Sequence, residues 1–197
     1  MKYKLEQQQR DQVKDFVSVF TPTIDQLAET KRRIESTVER RDETQNEMSA
    51  QPTIEALDDN GIARRLVLRE KLSMLNALIP AIEHAASENK RNVAAQANDA
   101  AELFRRICYA AGEKYSRETF AATLPAELRK DQGVFADIWS RLVRRDFGIF
   151  FNPPAIDPRD DVAAILSEAN RRLSLLEDLL AGKDIPLPQE RVAADAA

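Results

Sequence analysis

Cys108 and His84 are the chain's one cysteine and one histidine, and both residue types serve as nucleophiles or bases in enzymes. Cys108 lies in the apolar segment FRRICYAAG, where nothing positions a base near it, which favours a small buried hydrophobe. His84 falls on a predicted helix, where we interpret it as a surface residue. We therefore predict no catalytic residues and a protein that is not an enzyme. An enzyme using Cys108 or His84 is the last of three hypotheses.

Paired carboxylates occur at Asp58-Asp59 and at Asp160-Asp161. The first pair begins the segment DDNG, which lacks the alternating ligands and the closing glutamate of a calcium loop, so we interpret it as a turn with an asparagine-glycine C-cap. The second pair suits the first turn of a helix, where acidic groups favour the dipole. Neither a Cys-rich zinc site nor the Glu-x-x-His motifs of a four-helix di-metal site can be assembled. We expect no metal and no cofactor.

The five glycines are isolated from one another, so the chain has no glycine-rich loop that could cradle a phosphate group. We predict that each glycine marks a helix boundary. They are Gly61, Gly112, Gly133, Gly148 and Gly182.

Arginine doublets recur along the chain, and ion pairs at three- or four-residue spacing on helix surfaces account for most of them, including Arg171-Arg172. The exception is the segment VFADIWSRLVRRDFGIFF, residues 134–151, in which three arginines share the polar side of a short helix. We interpret the segment first as a small hydrophobic cap formed with the last helix, in which the tryptophan packs against that helix. If the tryptophan is exposed, the segment is a contact surface. The candidate interaction face comprises Trp139, Arg141, Arg144, Arg145, Phe150 and Phe151.

Residues 117–151 also fit, loosely, a helix-turn-helix followed by the start of a wing. The segment lacks a second wing strand and has no base-reading Asn or Gln on the candidate recognition helix. The net charge of −4, with no strongly positive block, does not favour binding through phosphate contacts. A nucleic-acid-associated protein is therefore the alternative hypothesis.

Helices must position these residues, because a chain of 197 residues with only 5 Gly and 9 Pro favours helix over turn-rich β structure. An alternating three-and-four spacing predicts coiled-coil packing of the first helical region. The same frame places Lys31, Arg41 and Gln45 on the seam. We predict a short helix to about Phe20, a new helix or a kink at Pro22, and helix to about residue 50. The apolar positions are Val13, Val17, Phe20, Ile24, Leu27, Ile34, Val38 and Met48.

The second helical region begins at Ile62 and extends to Gly112, with a bend or an unpaired carbonyl expected at Pro80. Its length of roughly 75 Å exceeds what an ordinary globular core needs. An antiparallel return would place the alanine-rich residues 85–101 opposite bulky residues near the N-terminus, so that large and small side chains interdigitate. We expect a long hairpin.

The predicted fold is all-α: a long, coiled-coil-like antiparallel helical hairpin with a small C-terminal helical cap. Residues 1–112 would form the arm, with its tip near 51–61, residues 113–183 a compact helical subdomain, and residues 184–197 a flexible tail. Within the subdomain we expect a short helix from Ser116 or Arg117 to about Thr123, a helix opened by Gly133, and a last helix N-capped by Asp157.

These features favour a noncatalytic structural or interaction protein whose arm serves as a spacer, clamp or assembly surface in a larger complex. Phage or secretion-type assemblies are possible hosts by analogy at the level of fold. We expect a protein partner or a homo-oligomer, with nucleic acid as the alternative partner. Because the polar N-terminus lacks a signal-peptide core and no segment could span a bilayer, we expect no membrane association and a cytoplasmic or intracellularly assembled location.

Overall fold

The computed structural model describes residues 4–52, 58–146 and 153–184. These residues form α-helices and short 3-10 helices, with no β-strand among them. The helices are α1 (Gln7–Ser49), α2 (Asp59–Phe120), α3 (Gln132–Asp146) and α4 (Val162–Leu180), and the 3-10 helices are Ala121–Thr123 and Leu128–Lys130. The predicted all-α class is confirmed.

Helices α1 and α2 pack along each other as the predicted antiparallel hairpin. Near the tip, Arg64 of α2 forms an ion pair with Glu47 of α1. Farther along, Asn89 Nδ2 donates to Thr30 Oγ1 at 3.0 Å. The 62 residues of α2 span roughly 93 Å at 1.5 Å per residue. Helix α2 is therefore longer than expected, because it does not end at Gly112.

The prolines do not divide the helices. Pro22 lies within α1 and Pro80 within α2, and both are exposed to solvent. Each lacks one backbone N–H, but on the outer side of a helix the carbonyl left over can bond to water. The predicted start of a new helix at Pro22 is wrong for this reason.

The segment DDNG begins α2 rather than ending a preceding helix, so the predicted C-cap is wrong. Asp58 is the N-cap, and its Oδ1 accepts from the backbone N–H of Gly61 at 2.8 Å. An aspartate in this position satisfies a helix N–H that has no partner within the helix.

The predicted N-cap of the last helix is also misplaced. The carboxylate of Asp157 accepts from the backbone N–H of Arg159 at 2.8 Å and from its guanidinium, which forms a turn. Asp161 caps α4 instead, with Oδ2 accepting from Ala163 N at 2.8 Å. At the other end, Gly182 has a φ of 72° and donates to Leu179 O at 3.1 Å, which confirms its predicted role as a helix stop.

Helices α1, α2 and α4 pack against one another around a shared core. On α1 the buried residues are bulky, whereas those on the facing part of α2 are small, as the alanine-rich sequence predicted. The buried set includes Val13, Phe20, Ile24 and Leu27 of α1 and Val93, Ala94, Ala97 and Ala100 of α2. The region containing these residues is called the proximal half of the hairpin.

In the distal half, formed by residues 28–49 of α1 and 59–86 of α2, the seam of α1 is built from threonine. Thr37 and Thr44 are buried, whereas Gln45 is exposed, so the predicted seam position of Gln45 is wrong. Each threonine hydroxyl donates to the carbonyl four residues earlier, to Arg33 O and Arg40 O at 2.7 Å. With that bond made, the side chain can be buried without an unsatisfied hydroxyl.

Candidate interaction site

Trp139 is fully buried, and its indole lies against the backbone of α2 at Gly112. A Cβ atom built on Gly112 would lie 1.9 Å from Trp139 Cε2, so only glycine leaves room for the ring. Tyr115 packs edge-on, with ring centroids 6.3 Å apart. The predicted helix end at Gly112 is wrong, since this glycine permits close packing within a continuous helix. Trp139 belongs to the core rather than to an exposed face.

The rest of the candidate face divides into a described and an undescribed part. Arg141 is exposed on α3. The side chains of Arg144 and Arg145, together with Phe150 and Phe151, lie outside the described residues. Helix α3 packs mainly on α2, not on the last helix as predicted. A cation–π contact adds to this packing, with the Arg117 guanidinium carbon 4.6 Å from the ring centroid of the buried Phe135.

The segment predicted to begin a helix-turn-helix has no separate first helix. Residues 117–120 are the last turn of α2, and a 3-10 turn from Ala121 to Thr123 follows directly. The predicted short helix from residue 116 or 117 to 123 is therefore wrong. An uninterrupted helix is possible because Gly112, the expected stop, keeps helical geometry.

A buried arginine joins α4 to the hairpin. Arg172 is 2% exposed. Its Nη1 donates to Ala97 O at 3.0 Å and to Asn98 Oδ1 at 2.8 Å, and its Nη2 donates to Pro154 O at 2.7 Å. This arginine was predicted to be a solvated surface group. Its spacing could have revealed the error, because position 172 continues the three-and-four row of Ile165, Ala169, Leu176 and Leu179.

Glu168 supplies the negative charge that accompanies Arg172. Hydrogen bonds from Arg171, and then from Arg172, lower the pKa of its carboxyl to about 2, although partial burial acts in the opposite direction. Arg172 Nε donates to Glu168 Oε1 at 2.9 Å. Asn98 extends the network, since its Oδ1 also accepts from Ile156 N at 3.0 Å. The chain before α4 is thereby held against α2.

A depression of about 240 Å³ lies beside this network and is lined by Asn98, Glu102, Arg105 and Arg172. Its charged groups are already paired, because Arg105 donates to Glu102 at 2.7 Å and Arg172 donates to four acceptors. The geometry is that of a structural clamp between helices. Among the described residues that line it, no charged group is left unpaired.

The residues considered for catalysis lie apart. Cys108 is fully buried, and burial raises the pKa of its thiol. A thiol held in its neutral form is a poor nucleophile. His84 is exposed on the surface of α2, and its Nε2 lies 3.9 Å from Glu88 Oε1. Among the described residues, no group of three or more Cys, His, Asp or Glu side chains could hold a metal ion.

An exposed apolar surface lies on the distal half of α2, facing away from the seam. Leu66, Val67 and Met74 are 60%, 63% and 67% exposed, and Ile62 and Leu78 are less exposed. At 3.6 residues per turn, these positions lie on the side opposite the buried row of Leu68, Ile79 and Ile82. Sequence reasoning missed this surface. We define the outer strip as Ile62, Leu66, Val67, Met74 and Leu78.

Comparison with protein-family models, with curated proteins and with solved structures finds no match to this chain. Within the described residues, no helix combines the length and apolar character needed to cross a bilayer.

Proposed function

We propose that this chain is a noncatalytic structural or interaction protein whose helical arm is an assembly surface within a larger complex. One observation carries the proposal: the distal half of α2 is apolar on two opposite sides. Leu68, Ile79 and Ile82 are buried on one side, while the outer strip lies in solvent on the other. A surface helix of a globular protein normally has one apolar face and one polar face.

The size of the outer strip supports a role in binding. Its five side chains expose apolar area on the order of 500 Å², which is at the upper end of what a soluble monomer presents in one patch. Single exposed apolar residues, such as Val19 on α1, need no such explanation. Ile62, Leu66, Met74 and Leu78 lie on one four-residue spacing, interrupted at its centre by Glu70, and such a row along one helix favours a helical partner.

The shape of the arm suits the same role. Along α2, the outer strip ends at Leu78, roughly 28 Å before Ala97, which accepts a hydrogen bond from α4, and roughly 51 Å before Gly112, where α3 packs, so the arm can act as a spacer or clamp. By fold-level analogy, phage or secretion-type assemblies remain proposed hosts. We propose a cytoplasmic location or a place in an intracellularly built assembly.

A capture experiment with matched variants tests the proposal. Tagged wild-type chain, Leu66→Glu and Val19→Glu are expressed in the native source, and retained proteins are identified by mass spectrometry. Leu66 and Val19 are both 60% exposed, so the two substitutions place the same charge at equally exposed positions. We expect a protein, including a second copy of the chain, to be retained by wild type and Val19→Glu but not by Leu66→Glu. If Leu66→Glu retains every protein that wild type retains, the strip is not the assembly surface.

The nucleic-acid alternative rests on a different surface and is tested separately. Arg141 is exposed on α3 and, within the described part of the chain, forms no ion pair or side-chain hydrogen bond. Binding through phosphate contacts weakens steeply as the salt concentration rises. A gel shift at low and moderate salt therefore separates the hypotheses: absence of binding at low salt excludes this alternative.

A further inference from the structure

We infer that the occupant of the outer strip is a second copy of this chain, and that two distal halves pair antiparallel around Glu70. This inference rests on the proposed function, since it assigns the partner of the same surface. Three features of the strip carry it: the arrangement of its apolar residues, the charges at its centre and its area.

Four of the five apolar residues are arranged symmetrically about Glu70, and the exception is Val67, whose counterpart is Ser73. Leu66 and Met74 lie four residues to either side, and Ile62 and Leu78 lie eight residues to either side. A twofold axis at Glu70 would therefore set Leu66 of one copy opposite Met74 of the other. Closed symmetric dimers use the same patch on both subunits and require this kind of self-complementarity.

The charges at the centre are also self-complementary. Arg69 and Lys71 flank Glu70 on the two edges of the strip, and all three residues are exposed. Within the described part of the chain, none of the three takes part in an ion pair or a side-chain hydrogen bond. The axis that sets Leu66 opposite Met74 also sets Glu70 opposite Glu70 and Arg69 opposite Lys71, so each carboxylate would pair diagonally with Arg69 or Lys71 of the other copy.

The area agrees with a dimer of ordinary size. Two strips would together bury on the order of 1,000 Å² of apolar surface. A specific interface buries about 1,600 Å² in total, and about 60% of it is non-polar. The strip alone thus supplies the apolar part of a standard interface.

Sedimentation velocity of the full chain from about 1 to 500 µM tests self-association. We expect a reversible dimer, with the dissociation constant raised at least about 100-fold by Leu66→Glu, because each dimer would bury two unpaired carboxylates. Val19→Glu is the matched control and should leave the constant within about threefold. Circular dichroism of each variant checks that the helices are intact. A wild-type chain that stays monomeric up to 500 µM overturns the inference.

Charge reversal tests the position of the axis. Glu70→Lys makes the centre wholly basic and should weaken the dimer about tenfold through repulsion at two symmetric sites. The triple variant R69E/E70K/K71E reverses every central charge while keeping the complementarity, so it should restore the affinity to within about threefold of wild type. Equal effects of the single and triple variants would overturn the pairing about Glu70.

Cross-linking tests the antiparallel order. Leu66→Cys and Met74→Cys chains are mixed in equal amounts and oxidised, with the buried Cys108 as the only other thiol. We expect disulfides between residue 66 of one copy and residue 74 of the other, whereas a predominance of 66–66 disulfides overturns the inference.

The outcomes separate the two proposals. A monomeric chain that still captures another protein through Leu66 refutes the second copy but leaves the assembly surface standing, and the absence of both associations refutes both.

Discussion

Substitution of Gly112 by alanine should destabilise the protein, although alanine is the better helix former. A Cβ atom at this position would lie 1.9 Å, 2.0 Å and 2.4 Å from three atoms of the Trp139 indole. Ordinary van der Waals contacts to a Cβ atom lie at 3.4–4 Å. The ring must therefore retreat by roughly 1.5 Å or leave its site. Because the ring is rigid and fully buried, either response moves α3 away from α2.

The expected loss in unfolding free energy follows from two opposing effects. Inserting the methyl group costs about 3 kcal/mol, the upper end for overpacking, and removing the buried aromatic contact altogether costs up to about 5 kcal/mol. Replacing a helical glycine by alanine returns about 1 kcal/mol through helix propensity. The net destabilisation should be about 2–4 kcal/mol. For a chain of this size, that corresponds to a fall in Tm of about 5–15 °C.

Urea unfolding followed by circular dichroism and by fluorescence measures both parts of this effect. Trp139 is the only tryptophan, so its emission reports directly on the contact and should shift to longer wavelength if the ring becomes exposed. Gly133→Ala is the control, since a Cβ atom there would meet only Asp131 Oδ1, at 3.3 Å. The control should be neutral or stabilising by up to about 1 kcal/mol.

A double-mutant cycle identifies the cause. In a Trp139→Leu background the indole is absent, so Gly112→Ala should cost at least about 1 kcal/mol less than it does in wild type. If Gly112→Ala is as stable as wild type and leaves the emission unchanged, the close packing of α3 on α2 is refuted.

Three further predictions concern buried polar and thiol groups. Arg172→Lys should lower the free energy of unfolding by about 2–4 kcal/mol, because a lysine cannot replace the planar donors of the clamp. Arg171→Lys, at an exposed position, should lower it by less than about 1 kcal/mol. Urea unfolding of both variants measures the difference. The pKa of Glu168 is about 2 in the folded chain and about 4.5 in the unfolded chain. Its ionised carboxylate therefore contributes about 1 kcal/mol, after screening, to the free energy of unfolding above pH 4.5, and this contribution is lost as the pH falls towards 2. In Glu168→Gln, the free energy of unfolding should depend less on pH across this range. The Cys108 thiol should react with a thiol reagent only as fast as the protein opens, and rapid reaction of the native chain would show that it is accessible.

The proximal half of the hairpin could be predicted from the sequence because large and small apolar residues recur there at helical spacing. Val13, Phe20 and Leu27 follow a strict seven-residue period, and all three are buried. In the distal half the predicted positions Ile34, Val38 and Met48 are only partly buried, and the two buried residues of α1 were missed because hydropathy counts threonine as polar. Thr37 and Thr44 are buried since their own helix satisfies their hydroxyls, and the sequence pattern alone does not show that bond.

Two other features depended on contacts between residues far apart in the chain. A glycine can end a helix or let another group approach it, and the choice at Gly112 is decided by Trp139, 27 positions later. Arg172 was misjudged because a doublet beside acidic residues is typical of a solvated surface. Its acceptors at Ala97, Asn98 and Pro154 come from other parts of the fold. No local pattern contains that information.

The two halves of the hairpin differ in what covers α2. In the proximal half, α1, α4 and α3 pack on α2 and bury its alanines, Gly112 and Cys108. In the distal half, the outer strip is a second apolar side of α2 that lies in solvent. A helix that is apolar on two sides is normally covered by another helix on each of them. The fold should therefore depend on residues such as Gly112, and association on residues such as Leu66. We expect a substitution of Leu66 to alter association but not stability, and a substitution of Gly112 to alter stability but not association. Together these results would locate the interaction surface on the arm rather than beside Trp139.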